Sequence, residues 1–186
     1  QRGAFDERLK SRRTELDAKW TELQMGLAAS WPSMAGSRRV IVHIPSFSHA
    51  EHIRLTINHL GVLQNLQISR LASLADPQVT VVYVSPVPVC REVMSYYERL
   101  LEVGGVRNVA GRLKVIHPEN THRFPEHFSL ATVLYYSPRA MRRIRAVTEG
   151  CPAYIVAGQV GEEDRTLATA LGVPIFGPGP EASAFW

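Results

Sequence analysis

The residues best placed for chemistry follow an apolar run near position 40. The run from Val40 to Ile44 is mostly β-branched, which predicts a buried strand. Ser46 and Ser48 come directly after it, and Glu51 stands three residues beyond Ser48, the spacing of a capping box that opens a helix. Parallel α/β sheets bind ligands at the carboxyl ends of their strands, beside helix N-termini. Ser46 and Ser48 are therefore candidate residues of a ligand cleft.

A second candidate turn carries two glycines. Gly158-Gln159-Val160-Gly161 follows the apolar run Ala153–Ala157, and the backbone N–H groups of such a turn can form a small anion nest. Three acidic residues, 162 to 164, come next and would repel an anion. We therefore favour a plain tight turn, and we keep Gly158 and Gly161 as weak candidates for the same cleft.

Known catalytic and nucleotide-binding patterns do not occur in this sequence. The segment Pro45-Ser46-Phe47-Ser48 has no glycine to admit a pyrophosphate, and neither a GxxxxGK[ST] loop nor a GxSxG elbow is present. His49, His52 and His59 lie on one predicted helix, but no third ligand completes a metal site. We assign no catalytic, cofactor-binding or metal-binding residue.

Strands and helices alternate from residue 38 onward, which predicts an α/β fold. We expect a three-layer, Rossmann-like domain with a mainly parallel sheet over residues 38–180, and residues 181–186 begin a connection to a following domain. The strands at Val40, Val79 and Ala153 should be neighbours. The remaining predicted strands are Leu113–Ile116 and Val173–Phe176, and the predicted helices are Ala50–Leu60, Val62–Leu74, Cys90–Val103, Leu130–Tyr135, Pro138–Thr148 and Glu162–Leu171.

An amphipathic helix is predicted over residues 1–29, followed by a proline-, glycine- and serine-containing linker over residues 30–37. Its apolar stripe packs on its own domain, on a neighbouring domain or on a partner helix. Because the linker separates this helix from the first strand, we expect it to be an attachment device outside the α/β core. The candidate partner-binding residues of the stripe are Phe5, Leu9, Leu16, Trp20, Leu23 and Leu27.

Composition narrows the class of protein. The 21 Lys and Arg exceed the 17 Asp and Glu by four without a long basic run, which argues against nucleic acid as a partner. No apolar run reaches the roughly 18 residues of a membrane span. Cys90 and Cys151 have no metal-ligand spacing and are typical of buried thiols in a reducing compartment. The chain begins with Gln1 and ends with Trp186, so we expect a segment of a longer protein.

Four segments together resemble a known family. They are Val40–Ser46, Phe124–Pro138, Gly150–Val156 and Leu171–Pro178. In this order they are similar to the region preceding the ATP-grasp domain in proteins similar to IQ motif-containing protein H. The resemblance covers about residues 38 to 180 and implies a Rossmann-like pre-ATP-grasp domain. The N-terminal helix lies outside it.

The resemblance implies two functions. The first is a non-catalytic assembly module in a ciliary, axonemal or cytoskeletal complex, because animal members of the family are linked to sperm and cilia. The alternative is an accessory, substrate-side domain of an ATP-dependent carboxylate-amine ligase. ATP and Mg²⁺ would then bind the longer chain rather than this segment, and calmodulin would bind regions outside it. A cytoplasmic location in the cilium or flagellum is expected, with no membrane association.

Overall fold

The computed structural model describes the backbone of residues 2–185 and the side chains of residues 11–182. This part of the chain is built around four parallel strands in the order β3-β2-β1-β4. The strands are β1 (Arg39–Phe47), β2 (Val79–Val84), β3 (Leu113–Ile116) and β4 (Ala153–Gln159). The prediction that the runs at Val40, Val79 and Ala153 form neighbouring parallel strands is confirmed, as is the α/β fold class.

The strands owe their apolar sequences to burial on both faces of the sheet. Ile41 of β1 pairs with Val81 of β2 and with Tyr154 of β4, and all three side chains are buried. Parallel strands covered on both faces carry near-continuous apolar runs instead of an alternating pattern. The β-branched residues of β1 and β2 therefore favour the strand locally and also fill the two cores.

The helices connect the strands and cover the sheet in two layers. Besides the α-helices, the described part of the chain has three 3₁₀-helical segments, which are Leu66–Ala75, Thr121–Arg123 and Pro180–Phe185. The α-helices are α1 (Arg2–Met34), α2 (Glu51–Arg54), α3 (Leu60–Asn65), α4 (Arg91–Val103), α5 (Val109–Arg112), α6 (Leu130–Tyr135), α7 (Pro138–Thr148) and α8 (Glu162–Leu171).

Each face of the sheet has its own apolar core. On one face Leu134 of α6, Ile144 of α7 and Leu167 of α8 are fully buried against the strands. On the other face α1 and the 3₁₀ helix Leu66–Ala75 supply the cover, through Leu27 and Leu71 among others. Burial of one such side chain is worth about 1.5–3 kcal/mol. The molecule is therefore the three-layer sandwich that the sequence predicts.

The segment after β1 differs from the prediction. Two regular helices were expected over Ala50–Leu60 and Val62–Leu74, whereas α2 ends at Arg54 and the chain is 3₁₀-helical from Leu66 to Ala75. His59 adopts a left-handed backbone conformation with φ of 55°, which interrupts the helical path before α3. The apolar periodicity was correct, because Ile68, Leu71 and Leu74 are buried, but the helix type was not.

The predicted fifth strand, Val173–Phe176, is reduced to one bridge. Ile175 forms an isolated parallel bridge with Ile155 of β4. Ile155 N donates to Pro174 O at 2.7 Å, and Phe176 N donates to Ile155 O at 2.8 Å. The sheet therefore ends beside Ile175, and the backbone at this edge must be covered by an element other than a strand.

Helix α1 supplies that cover, which corrects the predicted boundaries of the helix and the linker. The helix continues to Met34, through the first residues of the expected linker 30–37. Trp31 stacks on Phe176 with ring centroids 4.5 Å apart and meets Tyr154 edge-on at 5.6 Å. Met34 is buried in the core. The C-terminal half of α1 is thus part of the α/β domain rather than separate from it.

The burial of the apolar stripe differs along the length of α1. Leu27 is buried in the core, Trp20 packs against the core beside α8, and Leu16 and Leu23 are half-buried. The side chains of Phe5 and Leu9 lie outside the described residues. The open question of what covers the stripe is therefore answered in part: its own domain covers the C-terminal portion.

Candidate functional site

The candidate site lies where the strand order reverses. The chain leaves β1 toward β2 and β3 on one side, and β4 lies on the other side of β1. The carboxyl ends of β1 and β4 therefore flank the topological switch point, the position at which open α/β sheets bind ligands. Ser46 and Ser48 lie at the end of β1, and Gly161 lies between β4 and α8. The structure brings these three predicted residues together.

Asp164, in the first turn of α8, joins them into one cluster. Its carboxylate is 1% exposed. Ser46 Oγ donates to Oδ1 at 2.5 Å, and Ser48 Oγ donates to Oδ2 at 2.5 Å. The backbone N–H of Gly161 also donates to Oδ2, at 3.0 Å. Three donors thus converge on one buried carboxylate and tie β1 to the start of α8.

Burial and hydrogen bonding act on the Asp164 carboxyl in opposite directions. Removal from water raises the pKa of Asp164, and the charge of Glu163 adds to this effect. The hydrogen bonds from Ser46, Ser48 and the Gly161 N–H lower it. The net result is a pKa of about 6, so the cluster changes its charge close to neutral pH.

Gly158 in β4 and Gly161 before α8 allow close packing of the backbone. A Cβ atom at position 158 would lie 2.2 Å from the carbonyl oxygen of Ser46, and one at position 161 would lie 2.6 Å from Ser48 Cβ. Both distances are far below van der Waals contact, so the backbones of the two strand ends approach closely only because these residues are glycine. Gly158 and Gly161 therefore hold the cluster together. The predicted turn over residues 158–161 is corrected, because Gly158 and Gln159 belong to β4 and Gly161 is already the N-cap of α8.

The predicted capping box at Ser48 and Glu51 is wrong. Ala50 is the N-cap of α2, and it makes no side-chain cap hydrogen bond. The Ser48 hydroxyl is already bound to Asp164, and Glu51 Oε1 lies 3.4 Å from His127 Nε2. The spacing was suitable, but the buried carboxylate of Asp164 competes successfully for the serine hydroxyl.

An open cleft of about 810 Å³ adjoins the cluster. Two arginines reach it, and both are occupied. Arg54 donates to the carbonyl oxygens of His49 and His127 and pairs with Glu163, whereas Arg165 pairs with Asp17 of α1. The carboxylates at the cleft outnumber the arginines four to two; they are Glu51, Glu162, Glu163 and Glu181. The charge of the cleft therefore disfavours anions.

His43 is a second buried titratable group in the sheet. It is 3% exposed in β1, and its Nε2 lies 3.3 Å from Ser73 Oγ. Burial lowers the pKa of His43 to about 4, and the charge of Arg70 contributes in the same direction. The sequence predicted a satisfied core histidine, and the burial is confirmed. Among the described residues, however, Nδ1 has no hydrogen-bond partner.

Sequence reasoning missed Asp164, although a signal was present. We interpreted residues 162–164 only as acidic side chains at the start of a helix that would repel an anion. Asp164 lies at positions i, i+3, i+4 and i+7 with Leu167, Ala168 and Leu171, all of which are buried. A carboxylate on the buried stripe of a helix requires donors, and the serines after β1 were the available ones.

The remaining features considered from the sequence are metal-ligating side chains, cysteines and membrane-spanning helices. Within the part of the chain that the structure describes, no three His, Cys, Asp or Glu side chains gather as a metal site would require. Cys90 is exposed rather than buried, and Cys151 is half-buried. None of the described helices combines the length and the apolar character needed to cross a membrane.

Comparison with known proteins finds one relative of interest. The chain is 34% identical over 165 residues to IQ motif-containing protein H of Danio rerio. The alignment covers 83% of this chain and 16% of that protein, so the chain spans about a sixth of the relative's length. No protein-family model matches the chain, and no solved structure matches it. The chain is thus homologous to one segment of this protein, and a place before an ATP-grasp domain stays a prediction.

Proposed function

We propose that this chain is a non-catalytic α/β domain that acts as an assembly module of a ciliary or axonemal complex, within a protein similar to IQ motif-containing protein H. One observation carries the proposal. The hydroxyls of Ser46 and Ser48 and the N–H of Gly161 all donate to Asp164 rather than to the cleft. A ligand at the switch point would have to take these donors from a buried carboxylate.

The charge of the cleft also argues against a nucleotide at this position. Glu162 and Glu163 open α8 at the place where a phosphate would meet the helix N-terminus. Arg54 and Arg165, the two arginines at the cleft, already have carboxylate partners. These residues do not fit a polyphosphate. ATP and Mg²⁺ would bind elsewhere in a longer chain.

Partner binding is assigned to the N-terminal part of the α1 stripe. Phe5, Leu9 and Leu16 precede the portion that packs on the domain, and Leu16 and Leu23 recur at a heptad interval that suits helix-on-helix packing. Trp20 and Leu27 are already in contact with the cores of the domain. The partner is another protein of the cytoplasmic ciliary compartment; calmodulin would bind regions outside this segment, and neither nucleic acid nor membrane is involved.

The test is retention on axonemes in ciliated cells that express the tagged chain. Leu16→Asp places a charge on the stripe, and Met25→Asp makes the same change on the same helix at a side chain that is 68% exposed. We expect Leu16→Asp to lose retention and Met25→Asp to keep it, with both variants melting at the wild-type temperature. Equal retention of the two variants would refute the assembly role of this stripe.

A second candidate function rests on the open acidic cleft. An accessory domain of an ATP-dependent carboxylate-amine ligase would use such carboxylates to hold the amine substrate. The full-length protein would then form ADP only when both an amine and a carboxylic acid are added. Calorimetric titration of the 186-residue chain with Mg-ATP tests what the two proposals share, because a micromolar site within this segment would overturn both.

A further inference from the structure

A smaller cavity of about 130 Å³ lies at the carboxyl edge of the sheet, away from the acidic cleft. Pro86 and Val87 line it just after β2, Phe124 and Phe128 line it from the loop before α6, and Leu130 closes it from α6 itself. It has no lining residue in common with the cleft beside Asp164. Its walls are mainly apolar, and its position is one that α/β sheets use for ligands.

One polar side chain of this cavity is unusual. Gln64 of α3 lines it and is only 2% exposed. Among the residues that the structure describes, none accepts a hydrogen bond from Gln64 Nε2. Leaving a buried amide donor unpaired costs about 1–3 kcal/mol. Buried polar groups are normally paired, so this donor requires an explanation.

The side-chain oxygen of the neighbouring residue, Asn65, has a hydrogen-bond partner. Asn65 Oδ1 accepts a hydrogen bond from Tyr83 Oη at 3.1 Å. Ser85 Oγ donates to the carbonyl oxygen of Val87 at 2.5 Å and lies 3.2 Å from Asn65 Oδ1. Ser85 in turn lies at the end of β2, where its backbone N donates to Ile116 O at 2.8 Å. The unpaired amide of Gln64 is therefore a local feature of the cavity and does not reflect loose packing of α3.

We propose that this cavity binds an uncharged, ring-sized ligand that carries one hydrogen-bond acceptor, and that Gln64 Nε2 donates to this acceptor. The size follows from the volume, because apolar cavities of about 150 Å³ accommodate benzene. The acceptor follows from the buried amide donor. A negative charge on the ligand is disfavoured by Glu126, which lines the cavity with a side chain that is 63% exposed. A charge of either sign is disfavoured by the mainly apolar walls, because burying an ion there is costly.

The test uses three probes of similar size on the 186-residue chain. Benzamide has a ring and an acceptor, toluene has the ring alone, and benzoate adds a negative charge. We expect benzamide to shift the backbone amide NMR signals of residues around the cavity and to bind about tenfold more tightly than toluene, the gain from pairing a buried donor. Benzoate should bind more weakly than benzamide.

Variants identify the donor and the cavity. Gln64→Leu should remove the preference for benzamide over toluene, whereas Gln67→Leu, a change of the same type in the next segment, should retain it. Val87→Phe fills the cavity with its own ring and should abolish binding of both probes. If Gln64→Leu does not fold, the Val87→Phe result still decides whether the cavity is the site.

Three outcomes would overturn the proposal. They are equal binding of benzamide and toluene to the wild-type chain, an unchanged preference in a folded Gln64→Leu variant, and the absence of any shift at saturating benzamide. The last outcome would mean that the cavity holds water only and that water pairs with the Gln64 amide. Because none of these measurements involves α1 or the cleft, failure here would leave the assembly proposal intact.

Discussion

Gln24 and Ile175 pair with each other as two residues of neighbouring strands do. Gln24 Nε2 donates to the carbonyl oxygen of Ile175 at 2.9 Å, and Ile175 N donates to Gln24 Oε1 at 2.9 Å. A carboxamide presents the same donor and acceptor as a peptide group, so this side chain satisfies both backbone groups of Ile175. Unpaired sheet edges attract other strands. One glutamine of α1 thus closes the edge beyond β4.

The first prediction concerns this pair. Gln24→Ala should lower the free energy of unfolding by about 1–3 kcal/mol, because both backbone groups of Ile175 lose their partner. Urea unfolding measures the loss. Gln78→Ala is the matched control, since the side chain of Gln78 is exposed. A loss at Gln24 within the roughly 0.5 kcal/mol of ordinary surface substitutions would show that the pair is incidental.

The second prediction concerns the Asp164 cluster and pH. Ser46→Ala removes a donor that favours the ionised carboxylate, so it should raise the pKa of Asp164 further above its already elevated value. The variant should therefore lose more stability at pH 8, where the carboxylate is charged, than at pH 4, where it is protonated. We expect a loss of about 1–2 kcal/mol at pH 8 by urea unfolding.

Ser137→Ala is the control for this experiment. Both serines are fully buried, but the hydroxyl of Ser137 donates to the neutral carbonyl of Val133. Its substitution should cost the same at pH 4 as at pH 8. If Ser46→Ala shows equally little dependence on pH, the hydroxyl of Ser46 does not stabilise the charged form of Asp164.

The third prediction concerns His43. Its pKa is about 4 in the folded protein and 6.5 in the unfolded chain, so the unfolded chain binds the proton more tightly. Above pH 6.5 His43 is neutral in both the folded and the unfolded state, and its contribution to the free energy of unfolding is complete. As the pH falls toward 4, the unfolded chain takes up the proton first, so this contribution is lost. The loss is about 3 kcal/mol over this range.

The Asp164 carboxyl changes stability in the opposite direction, so the two effects must be separated. With its folded pKa raised to about 6, Asp164 stabilises the fold more at pH 4 than at pH 7. His43→Leu leaves Asp164 in place. The difference in unfolding free energy between His43→Leu and wild type at pH 7, 5.5 and 4.5 isolates the histidine, and a constant difference would contradict its burial in the neutral form.

The fourth prediction concerns the start of α7. Glu119 accepts hydrogen bonds from the N–H groups of Arg139 at 2.6 Å and Ala140 at 3.0 Å. Burial raises the pKa of Glu119, but these hydrogen bonds outweigh it and lower the pKa overall. Glu119→Ala should cost about 1 kcal/mol, which corresponds to a fall of about 2–4 °C in Tm. Glu149→Ala, at the opposite end of α7, should leave Tm unchanged, and equal falls would exclude a capping role.

The strands could be predicted from sequence because their signals are local. Val79–Val84 is a β-branched and apolar run between Asp76-Pro77 and Ser85-Pro86, and Leu113–Ile116 is a shorter, mainly apolar run; the structure has both strands with the predicted bounds. The prediction of two regular helices over Ala50–Leu60 and Val62–Leu74 failed for a non-local reason. The apolar spacing fits α and 3₁₀ helices almost equally, and the left-handed His59 that separates the segments has no distinctive neighbour in the sequence.

The candidate site was predictable in position but not in chemistry. The switch-point rule places Ser46, Ser48 and Gly161 side by side, and they are. The rule cannot say whether their donors face a ligand or the protein. That depends on Asp164, whose burial follows from the packing of α8 on the sheet. The same limitation applies to the start of α7, where the N-cap residue Ser137 makes no side-chain cap hydrogen bond and Glu119 accepts from the helix N–H groups instead, from twenty residues away.

The pairing of Gln24 with Ile175 also imposes an order of events during synthesis. The two residues are 151 positions apart, so α1 emerges from the ribosome long before its final contacts exist. At about 5–20 residues per second, the interval is roughly 8–30 s. Throughout this time Leu27, Trp31 and Met34 have no complete sheet to cover. The contacts of α1 with Ile175 are consequently completed only after synthesis of the C-terminal segment, and the nascent domain remains open at that edge until then.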